Sequence, residues 1–425
     1  MRERGDIMDR ENRHLEYKEK YSKSYLKTVS AFSNYEGGKI IFGVNDEGEV
    51  VGVEDPRTLC LNIENAINDN IKPNPLYSLK IIPMNGHQVV VLLVEKGDAP
   101  PYYYKTKAYK RNDTSSIEVG KMELDRLVLK GKNLKFEDLP ASRQDLSFHT
   151  LASYLKDIMG IRQLTNDILI TLGLYKNDQY TIAAEIISDQ NSFPGIDIVK
   201  FGQSISILED RVTLKNISIL EIFKKTIDVF DAYYSYEEIE SITRNKKCRV
   251  PGKAFREAIA NALVHRSWDI PASINVSMFD DHIEIVSPGG LPEGLSEETY
   301  ENTNISILRN PSIANLFYRL HYIESFGTGI RRIKEEYKDY FIKPSFQITD
   351  HSVTVILPVI KAKNLAGDEL KVYNALMIYG QSSRRQLTEY TGFNKSKIIR
   401  IVNKLIEDGL IETVGQSRNV TYKII

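Results

Sequence analysis

Helical and strand patterns of apolar residues alternate along the first 120 residues. In "KSYLKTVSAFSNYEGG" the apolar residues Leu26, Val29 and Phe32 recur at helical spacing, and a Gly-Gly pair predicts the helix end. "KIIFGVNDEGEVVGVED" holds two β-rich runs around Asp-Glu-Gly, which predicts a hairpin. "HQVVVLLVEK" predicts a buried strand, and "PPYYYKTKAYKRNDTSS" predicts a further pair of short strands. This part of the chain is therefore expected to form an α/β domain.

The segment "ENRHLEYKEK" near the start predicts a strand with two chemically different faces. Side chains alternate along a strand, so Glu16 and Lys18 share one face while Leu15 and Tyr17 share the other. Glu11 precedes the strand, and periodicity does not place it. On spacing alone, a charged surface in contact with solvent is the simplest interpretation.

The middle of the chain predicts a connector followed by a second α/β domain. Residues 121–165 are charged and helical in pattern, and the segment up to residue 217 mixes helix and strand patterns. Two helical patterns follow from residue 218, the second being "GKAFREAIANALVHRSW". The strand pattern "SINVSMFDDHIEIVSPGG", further helical segments and the closing strand "HSVTVILPVI" complete this part.

The last segment predicts three helices followed by two strands. The helices are "DELKVYNALMIYG", "SSRRQLTEYTG" and "KSKIIRIVNKLIEDGL", and the strands are in "IETVGQSRNVTYKII". This order resembles that of winged helix-turn-helix domains. The resemblance implies that Lys395, Lys397 and Arg400 enter a DNA groove and that Arg418 lies near a phosphate. Nine lysines and arginines against six acids give a modest positive charge. Because winged helices also dock proteins, both interpretations stay open.

Composition restricts the setting in which these domains act. The chain has 425 residues, of which 42% are hydrophobic and 27% charged, and no apolar run is long enough for a transmembrane helix. The charged N-terminal segment lacks the apolar core of a secretory signal, and Cys60 and Cys248 lack metal-ligand spacing. We therefore expect a cytoplasmic protein with no membrane partner, which could form a homo-oligomer. Because the net charge is −1, contacts with nucleic acid must come from local basic patches.

Residues 11 to about 116 resemble the Schlafen AlbA-type domain. The resemblance rests on "ENRHLEYK", "SNYEGGKIIFGVND" and "PPYYYKTKAYKRNDTSS". In the nuclease members of that family three acids form the active site, and the matching residues here are Glu11, Glu16 and Asp46. Three carboxylates brought together repel one another, and Mg²⁺ or Mn²⁺ relieves that repulsion, activates water and neutralises a phosphodiester. The resemblance therefore implies a metal-dependent endonuclease acting on RNA, such as tRNA.

Basic and aromatic residues interleave near the end of this domain. Lys18 is placed to hold a phosphate, and the other basic candidates for a nucleic-acid groove are Lys105, Lys107, Lys110 and Arg111. The tyrosines among them are Tyr102, Tyr103, Tyr104 and Tyr109. Base stacking is one interpretation of these tyrosines, and packing within the β-sheet is the more ordinary one for at least half of them.

The helix "GKAFREAIANALVHRSW" resembles the N-box of GHKL ATPases. Glu257 and Asn261 are four residues apart and so lie on one helix face, with His265 one turn further on. In that family the Glu is the general base and the Asn ligates the Mg²⁺ beside the triphosphate of ATP. The family's glycine boxes match "EIVSPGGLPEG" and "ESFGTGIRRI", which contain Gly289, Gly290, Gly327, Thr328 and Gly329.

Glycines let a backbone approach phosphates closely, and a following helix offers its first N–H groups. One departure concerns adenine recognition, since Val286 stands where the family has the adenine-binding Asp, with Ser287 next to it. The resemblance, to a divergent ATPase-like domain that accompanies AlbA-type domains, implies an ATP site with uncertain adenine selectivity and no expected ATPase activity. The alternative is that Glu257 and Asn261 are polar residues of a half-exposed helix and that the glycines shape turns.

These patterns predict a multidomain α/β (α+β) architecture. The predicted parts are an AlbA-type domain over residues 1–120, a connector and mixed region over 121–217, a GHKL-like α/β sandwich over 218–360 and a winged helix over 366–425. Two functions fit this order. The acids give a narrow preference to a metal-dependent endonuclease controlled by the other modules. The winged helix favours a non-enzymatic DNA-binding transcriptional regulator with an ATP-binding-like domain.

Overall fold

A computed structural model of the chain describes residues 10–240, 243–292, 294–302, 307–323, 327–338, 340, 342–360, 365, 367–407, 410–415 and 420–424. Contacts divide the chain into two compact units, Met1–Phe136 and Glu137–Ile425. No helix within the described ranges is long and apolar enough to cross a membrane.

The first unit contains two sheets. Its elements are, in chain order, β1 (Leu15–Lys18), α1 (Tyr25–Asn34), β2 (Gly38–Phe42), α2 (Pro56–Asn70), β3 (Ile71–Lys72), β4 (Tyr77–Met84), β5 (His87–Val94), β6 (Tyr103–Tyr104), β7 (Lys107–Asn112), β8 (Ser115–Glu118) and α3 (Lys121–Gly131). One sheet has the order β1-β2-β5-β4, with β1 parallel to β2 and the other neighbours antiparallel. The other sheet has the order β3-β6-β7-β8.

Helix α1 is buried on nearly all sides because it packs against strands of both sheets. The predicted apolar residues Leu26, Val29 and Phe32 lie in one core with Ile40 of β2 and Val90 of β5. This core closes one face of the four-stranded sheet, and it fixes the side of β1 toward which Glu16 and Lys18 point.

The hairpin predicted for the segment after β2 forms only as a short turn, in which the N–H of Asn45 donates to the carbonyl of Glu49 at 3.0 Å. β2 pairs with β1 and β5, while Val44 and Val50 share an isolated bridge. Gly43 has φ +95°, and its carbonyl accepts the N–H groups of Val51 and Gly52. This left-handed conformation suits glycine, and the second β-rich run returns beside Gly43 without forming a regular strand.

The second unit begins near a 3-10 turn at Phe136–Asp138 and contains a mixed sheet. Its elements up to residue 358 are α4 (His149–Met159), α5 (Asn166–Thr171), β9 (Tyr175–Lys176), β10 (Gln179–Tyr180), α6 (Ile182–Ile187), β11 (Ile196–Phe201), β12 (Leu208–Leu214), α7 (Ile219–Tyr234), β13 (Ser235–Glu240), β14 (Thr243–Cys248), α8 (Gly252–His265), β15 (Ile274–Met278), β16 (His282–Pro288), α9 (Glu297–Asn302), α10 (Pro311–Arg319), α11 (Gly329–Glu336), β17 (Ser345–Ile348) and β18 (Ser352–Pro358).

The sheet of this unit has the order β12-β11-β15-β16-β18-β17. β11 and β15 are parallel, and the remaining neighbours are antiparallel. α8 packs on β16 and β18, and α7 packs on β11. Because β11 and β12 come from the region predicted as a connector, the boundary predicted at residue 218 passes through this sheet.

The end of the chain forms a winged helix, as predicted. It comprises α12 (Gly367–Tyr379), β19 (Ser382–Ser383), α13 (Arg384–Thr391), α14 (Lys395–Glu407), β20 (Ile411–Val414) and β21 (Thr421–Ile424). The strands pair in the order β19-β21-β20. Ser383 and Gln386 form a capping box at the start of α13. Leu376, Leu387 and Val402 bring the three helices together in one core.

Candidate nucleic-acid and nucleotide sites

Glu16 is buried in the first unit and held by two cationic side chains. Oε1 of Glu16 lies 2.8 Å from Nζ of Lys18, which confirms that these residues share a strand face. Oε2 accepts hydrogen bonds from Nη1 of Arg111 at 2.6 Å and from Oγ1 of Thr28 at 2.5 Å. The side chains of Glu16 and Arg111 are 6% and 5% exposed. The protein therefore neutralises this carboxylate with its own cations.

Glu11 and Asp46 have surroundings different from those of Glu16. Oε1 of Glu11 accepts the N–H of Tyr17 at 2.6 Å and so caps the outer edge of β1, the end strand of its sheet. Asp46 is exposed in the turn after β2. In the described part of the chain, no group of three or more His, Cys, Asp or Glu side chains is arranged to hold a metal ion. In this geometry the acids do not fit a cation, and the three-acid metal site stays a prediction.

The basic residues predicted to contact nucleic acid divide into surface lysines and one buried arginine. Lys105 is exposed, whereas Lys107 and Lys110 pair with glutamates of β8 and α3 at 2.6 and 2.7 Å. Arg111 donates to Glu16 and also to the carbonyl of Asn12 at 3.2 Å. The lysines are therefore accessible to a phosphate, and Arg111 serves the interior of the unit.

The predicted aromatic surface is mostly core. Tyr102, Tyr104 and Tyr109 are buried in the cluster that surrounds α1, and Tyr103 is half-buried. The interpretation of these residues as sheet packing is confirmed for the three buried rings, whose faces are not available to bases.

Glu257 and Asn261 lie together on α8, as their spacing predicts. Nδ2 of Asn261 donates to Oε1 of Glu257 at 3.3 Å. Burial raises the pKa of Glu257, although the guanidinium of Arg332 acts in the opposite direction. A Cβ on Gly329 would lie 2.5 Å from Nδ2 of Asn261 and 2.6 Å from Oε1 of Glu257. The absence of a side chain at Gly329 therefore allows the start of α11 to approach both polar groups.

A cavity beside α8 brings together most of the residues predicted to bind a nucleotide. Its lining includes Asn261, Gly289, Gly290, Gly327 and Gly329. Glu257 is buried and hydrogen-bonded to Asn261, and Thr328 is the N-cap residue of α11. A Cβ on Gly290 would lie 2.6 Å from the carbonyl oxygen of Thr349, so the backbone at this rim is closely packed. The amide of Asn261, the nearby carboxylate of Glu257 and the accessible backbone of the glycines together fit a nucleotide with Mg²⁺.

The structure corrects which residue of β16 faces the cavity. Ile283, Ile285 and Ser287 are buried at alternate positions, and Val286 lies on the other side of the strand. Oγ of Ser287 donates to the carbonyl of Ala262 at 3.0 Å and thereby ties β16 to α8. Ser287 rather than Val286 therefore lines the cavity.

The start of α14 places two of the predicted DNA contacts at the surface. Lys395 and Arg400 are exposed. Nζ of Lys397 lies 2.7 Å from Oδ2 of Asp368 and 4.0 Å from the ring centre of Phe393, so this lysine is held in place by its neighbours. The predicted contact at Arg418 lies outside the described residues.

The sequence did not indicate that Arg309 hydrogen-bonds to the backbone of two residues that line the cavity. Its Nη1 donates to the carbonyl of His265 at 3.0 Å, and its Nη2 donates to the carbonyl of Gly290 at 2.6 Å. The segment "LRNPSIA" contains a helix-start signal in its Asn-Pro pair. That signal predicts α10, but it does not predict which carbonyl groups the preceding arginine reaches.

Together, the fold and these sites define a multidomain α/β protein with a nucleotide-site-like domain and a winged helix. Residues 11–120 match the family model "Schlafen, AlbA_2", and residues 361–425 match "Sugar-specific transcriptional regulator TrmB". Residues 272–357 match "Putative ATP-dependent DNA helicase recG C-terminal". The chain therefore joins an AlbA-type Schlafen domain, a RecG C-terminal-like domain and a TrmB-like winged helix, the order that the sequence predicted.

Individual relatives cover the chain less completely. An uncharacterized ATP-binding protein of Ureaplasma parvum serovar 3 is 36% identical over 78 residues, which are 17% of this chain and 19% of that protein. The chain thus matches about a fifth of the length of this curated relative.

Two solved structures are also similar. The DIP2311 protein of Corynebacterium diphtheriae has 16% identity and a TM-score of 0.46, covering 97% of this chain and 95% of that one. The N-terminal domain of a RecG-related protein from Nitrosomonas europaea has 21% identity and a TM-score of 0.21, covering 27% of this chain and 84% of that one.

Proposed function

We propose that this protein is a DNA-binding transcriptional regulator whose winged helix contacts duplex DNA and whose middle domain binds a nucleotide. The observation that carries the proposal is the exposed start of α14, where Lys395 and Arg400 extend from a helix whose opposite face is buried. A helix presented in this way fits the major groove, and its basic residues neutralise phosphates. The match of residues 361–425 to a regulator family supports the same function.

The DNA-binding proposal is tested by removing positive charge from the first half of α14 and, as a control, from its last turn. Lys395→Ala combined with Arg400→Ala should weaken duplex DNA binding and reduce its salt dependence, because fewer counterions are released on binding. Lys404→Ala is the matched control, since it removes a lysine from the last turn of the same helix, where Glu369 is its partner. DNA titrations at several salt concentrations check the result. Equal loss from both changes, or no binding by the wild-type protein, would assign the winged helix to protein docking.

The nucleotide-binding part rests on Asn261 and the glycine rim of the cavity. A ligand that binds only the native state raises the Tm, so ATP with Mg²⁺ should stabilise the second unit. Asn261 would hold the Mg²⁺, which compensates the charge of the phosphates when it is bound. Asn261→Ala should abolish the ATP-dependent rise in Tm and change the Tm without ATP little. An unchanged Tm of the wild-type protein at millimolar ATP would reduce this domain to a structural role.

A second candidate function is a Schlafen-type, metal-dependent endonuclease acting on RNA. The observation that favours it is the presence of all three acids, Glu11, Glu16 and Asp46, at the spacing of the nuclease members. In the described geometry, Glu16 would have to release Arg111 or Lys18 before it could ligate a cation.

Asp46 gives the sharper test of this second function because its side chain is exposed. Asp46→Asn should leave the Tm unchanged and abolish cleavage of labelled tRNA, single-stranded RNA or DNA in Mn²⁺ or Mg²⁺, with EDTA as the control. Glu47→Asn, at the neighbouring exposed acid, is the matched variant that should retain cleavage. If the wild-type protein cleaves none of these substrates, the regulator proposal stands alone.

A further inference from the structure

The inner wall of the cavity in the second unit is mostly apolar. Ala258 and Ala262 of α8 face Ile285 of β16 and Val355 of β18 across it. His265 and Ser287 add polar atoms to this wall. The two residues belong to elements that are joined by the hydrogen bond from Ser287 to Ala262. Both residues are therefore placed to contact a ligand that enters the cavity.

His265 is a neutral side chain in this wall. Burial lowers its pKa to about 4, and the guanidinium of Arg309 acts in the same direction. A neutral imidazole offers one hydrogen-bond donor and one acceptor, and the tautomer decides which nitrogen has which role. The ring makes no hydrogen bond to any residue that the structure describes, although Arg309 binds the backbone carbonyl of His265. Because the ring is half-buried and lines the cavity, it is available to a bound ligand.

Ser287 completes the polar part of the wall. Its hydroxyl donates its hydrogen to the carbonyl of Ala262. The hydroxyl oxygen therefore keeps lone pairs that can accept a hydrogen bond from a ligand. Among the described residues that line the cavity there is no carboxylate. The wall thus offers a neutral hydrogen-bond donor and a neutral acceptor, whereas a single Asp would offer acceptors alone.

We propose that His265 and Ser287 recognise the base of a purine nucleotide and that the cavity accepts adenine and guanine alike. The edge of adenine presents an amino donor beside a ring acceptor, whereas the edge of guanine presents a carbonyl acceptor beside a ring donor. A neutral imidazole can donate to the ring nitrogen of adenine or to the carbonyl of guanine, and the serine oxygen accepts from the amino or ring N–H group. This inference rests on the proposed nucleotide binding by the middle domain and adds the identity of the base-contacting residues.

The test measures binding of ATP, GTP and CTP, each with Mg²⁺, to the full chain by calorimetry. The wild-type protein should bind ATP and GTP with Kd values within about tenfold of each other and should bind CTP more weakly, because a single-ring base buries less surface against the apolar lining. His265→Leu should weaken both purine nucleotides by roughly tenfold, the loss expected for one or two neutral hydrogen bonds. His149→Leu, at an exposed histidine of the same unit, should leave both Kd values unchanged.

A second variant tests the other polar group of the wall and leaves His265 in place. Ser287→Ala removes the acceptor and should weaken ATP and GTP by a similar factor of about tenfold, because both purines present an N–H group to the serine oxygen. Binding of ATP alone by the wild-type protein, or unchanged Kd values in His265→Leu, would overturn this inference and leave nucleotide binding intact. Absence of binding by any of the three nucleotides would instead overturn the proposed nucleotide-binding function.

Discussion

Glu16 has both a structural and a chemical interpretation, because this candidate catalytic acid forms an ion pair with Arg111. Both side chains are almost fully buried, and the pair joins β1 to β7. Removing one partner leaves an uncompensated charge in the interior. In the described geometry, the pair therefore contributes to the stability of the first unit, whatever chemistry the carboxylate also performs.

Arg111→Met should lower the free energy of unfolding of the first unit by about 3–5 kcal/mol, the usual cost of breaking a buried pair. Lys107→Met is the control, because Lys107 and Glu118 form an exposed pair on neighbouring strands, and the loss of such a pair should cost far less. Urea unfolding of the two variants gives both values. Equal costs would mean that the Glu16–Arg111 pair is not desolvated in solution.

Glu137 is a second buried acid, and its carboxylate binds the start of α10. Oε1 and Oε2 accept the N–H groups of Ser312 and Ile313 at 2.5 and 3.2 Å. Burial raises the pKa of Glu137 to about 7, although these hydrogen bonds act in the opposite direction. Protonation is therefore favoured in the folded state relative to the unfolded chain.

The stability of the second unit should consequently depend on pH near neutrality. Because the pKa of Glu137 is higher in the folded state, its favourable contribution is complete below about pH 4.5 and is lost as the pH rises through about 7. The loss is on the order of 3 kcal/mol. Urea unfolding from pH 5 to 8 should show a steeper decline for the wild-type protein than for Glu137→Gln. Parallel pH profiles would contradict this assignment.

At the scale of elements, the first residue of α11 controls the approach of that helix to α8. An alanine at Gly329 suits a helix but meets Asn261 and Glu257 at distances too short for contact. Gly329→Ala should therefore abolish the nucleotide-dependent rise in Tm. Gly252→Ala, at the first residue of α8, is a matched control because its nearest contact would be 3.9 Å away. A thermal-shift assay with ATP distinguishes them, and equal responses would show that α11 does not close on the site.

At the scale of the whole molecule, each of the two compact units has a hydrophobic core of its own residues. Calorimetry should therefore resolve two unfolding transitions, since a separate core supports cooperative unfolding. ATP should shift the transition of residues 137–425, and Arg111→Met should shift the transition of residues 1–136. A single transition that responds to both changes would show that the units unfold together.

The sequence by itself determined the elements whose patterns are local. The period of apolar residues predicted α1, the alternation in β1 predicted that Glu16 and Lys18 share a face, and the order of helices and strands predicted the winged helix. Fixed spacing also placed Glu257 and Asn261 on one side of α8. These inferences succeeded because helix and strand geometry relate residues that are only a few positions apart.

Only the tertiary structure decided which distant groups meet. It paired Glu16 with Arg111, 95 residues away, added β11 and β12 to the sheet of the second unit, and turned Ser287 rather than Val286 toward the cavity. It also buried Tyr102, Tyr104 and Tyr109, which their pattern left open to a binding surface. No local period encodes such contacts. They depend on which sheets and helices pack together, because packing decides which apolar faces are buried and which buried charges are paired.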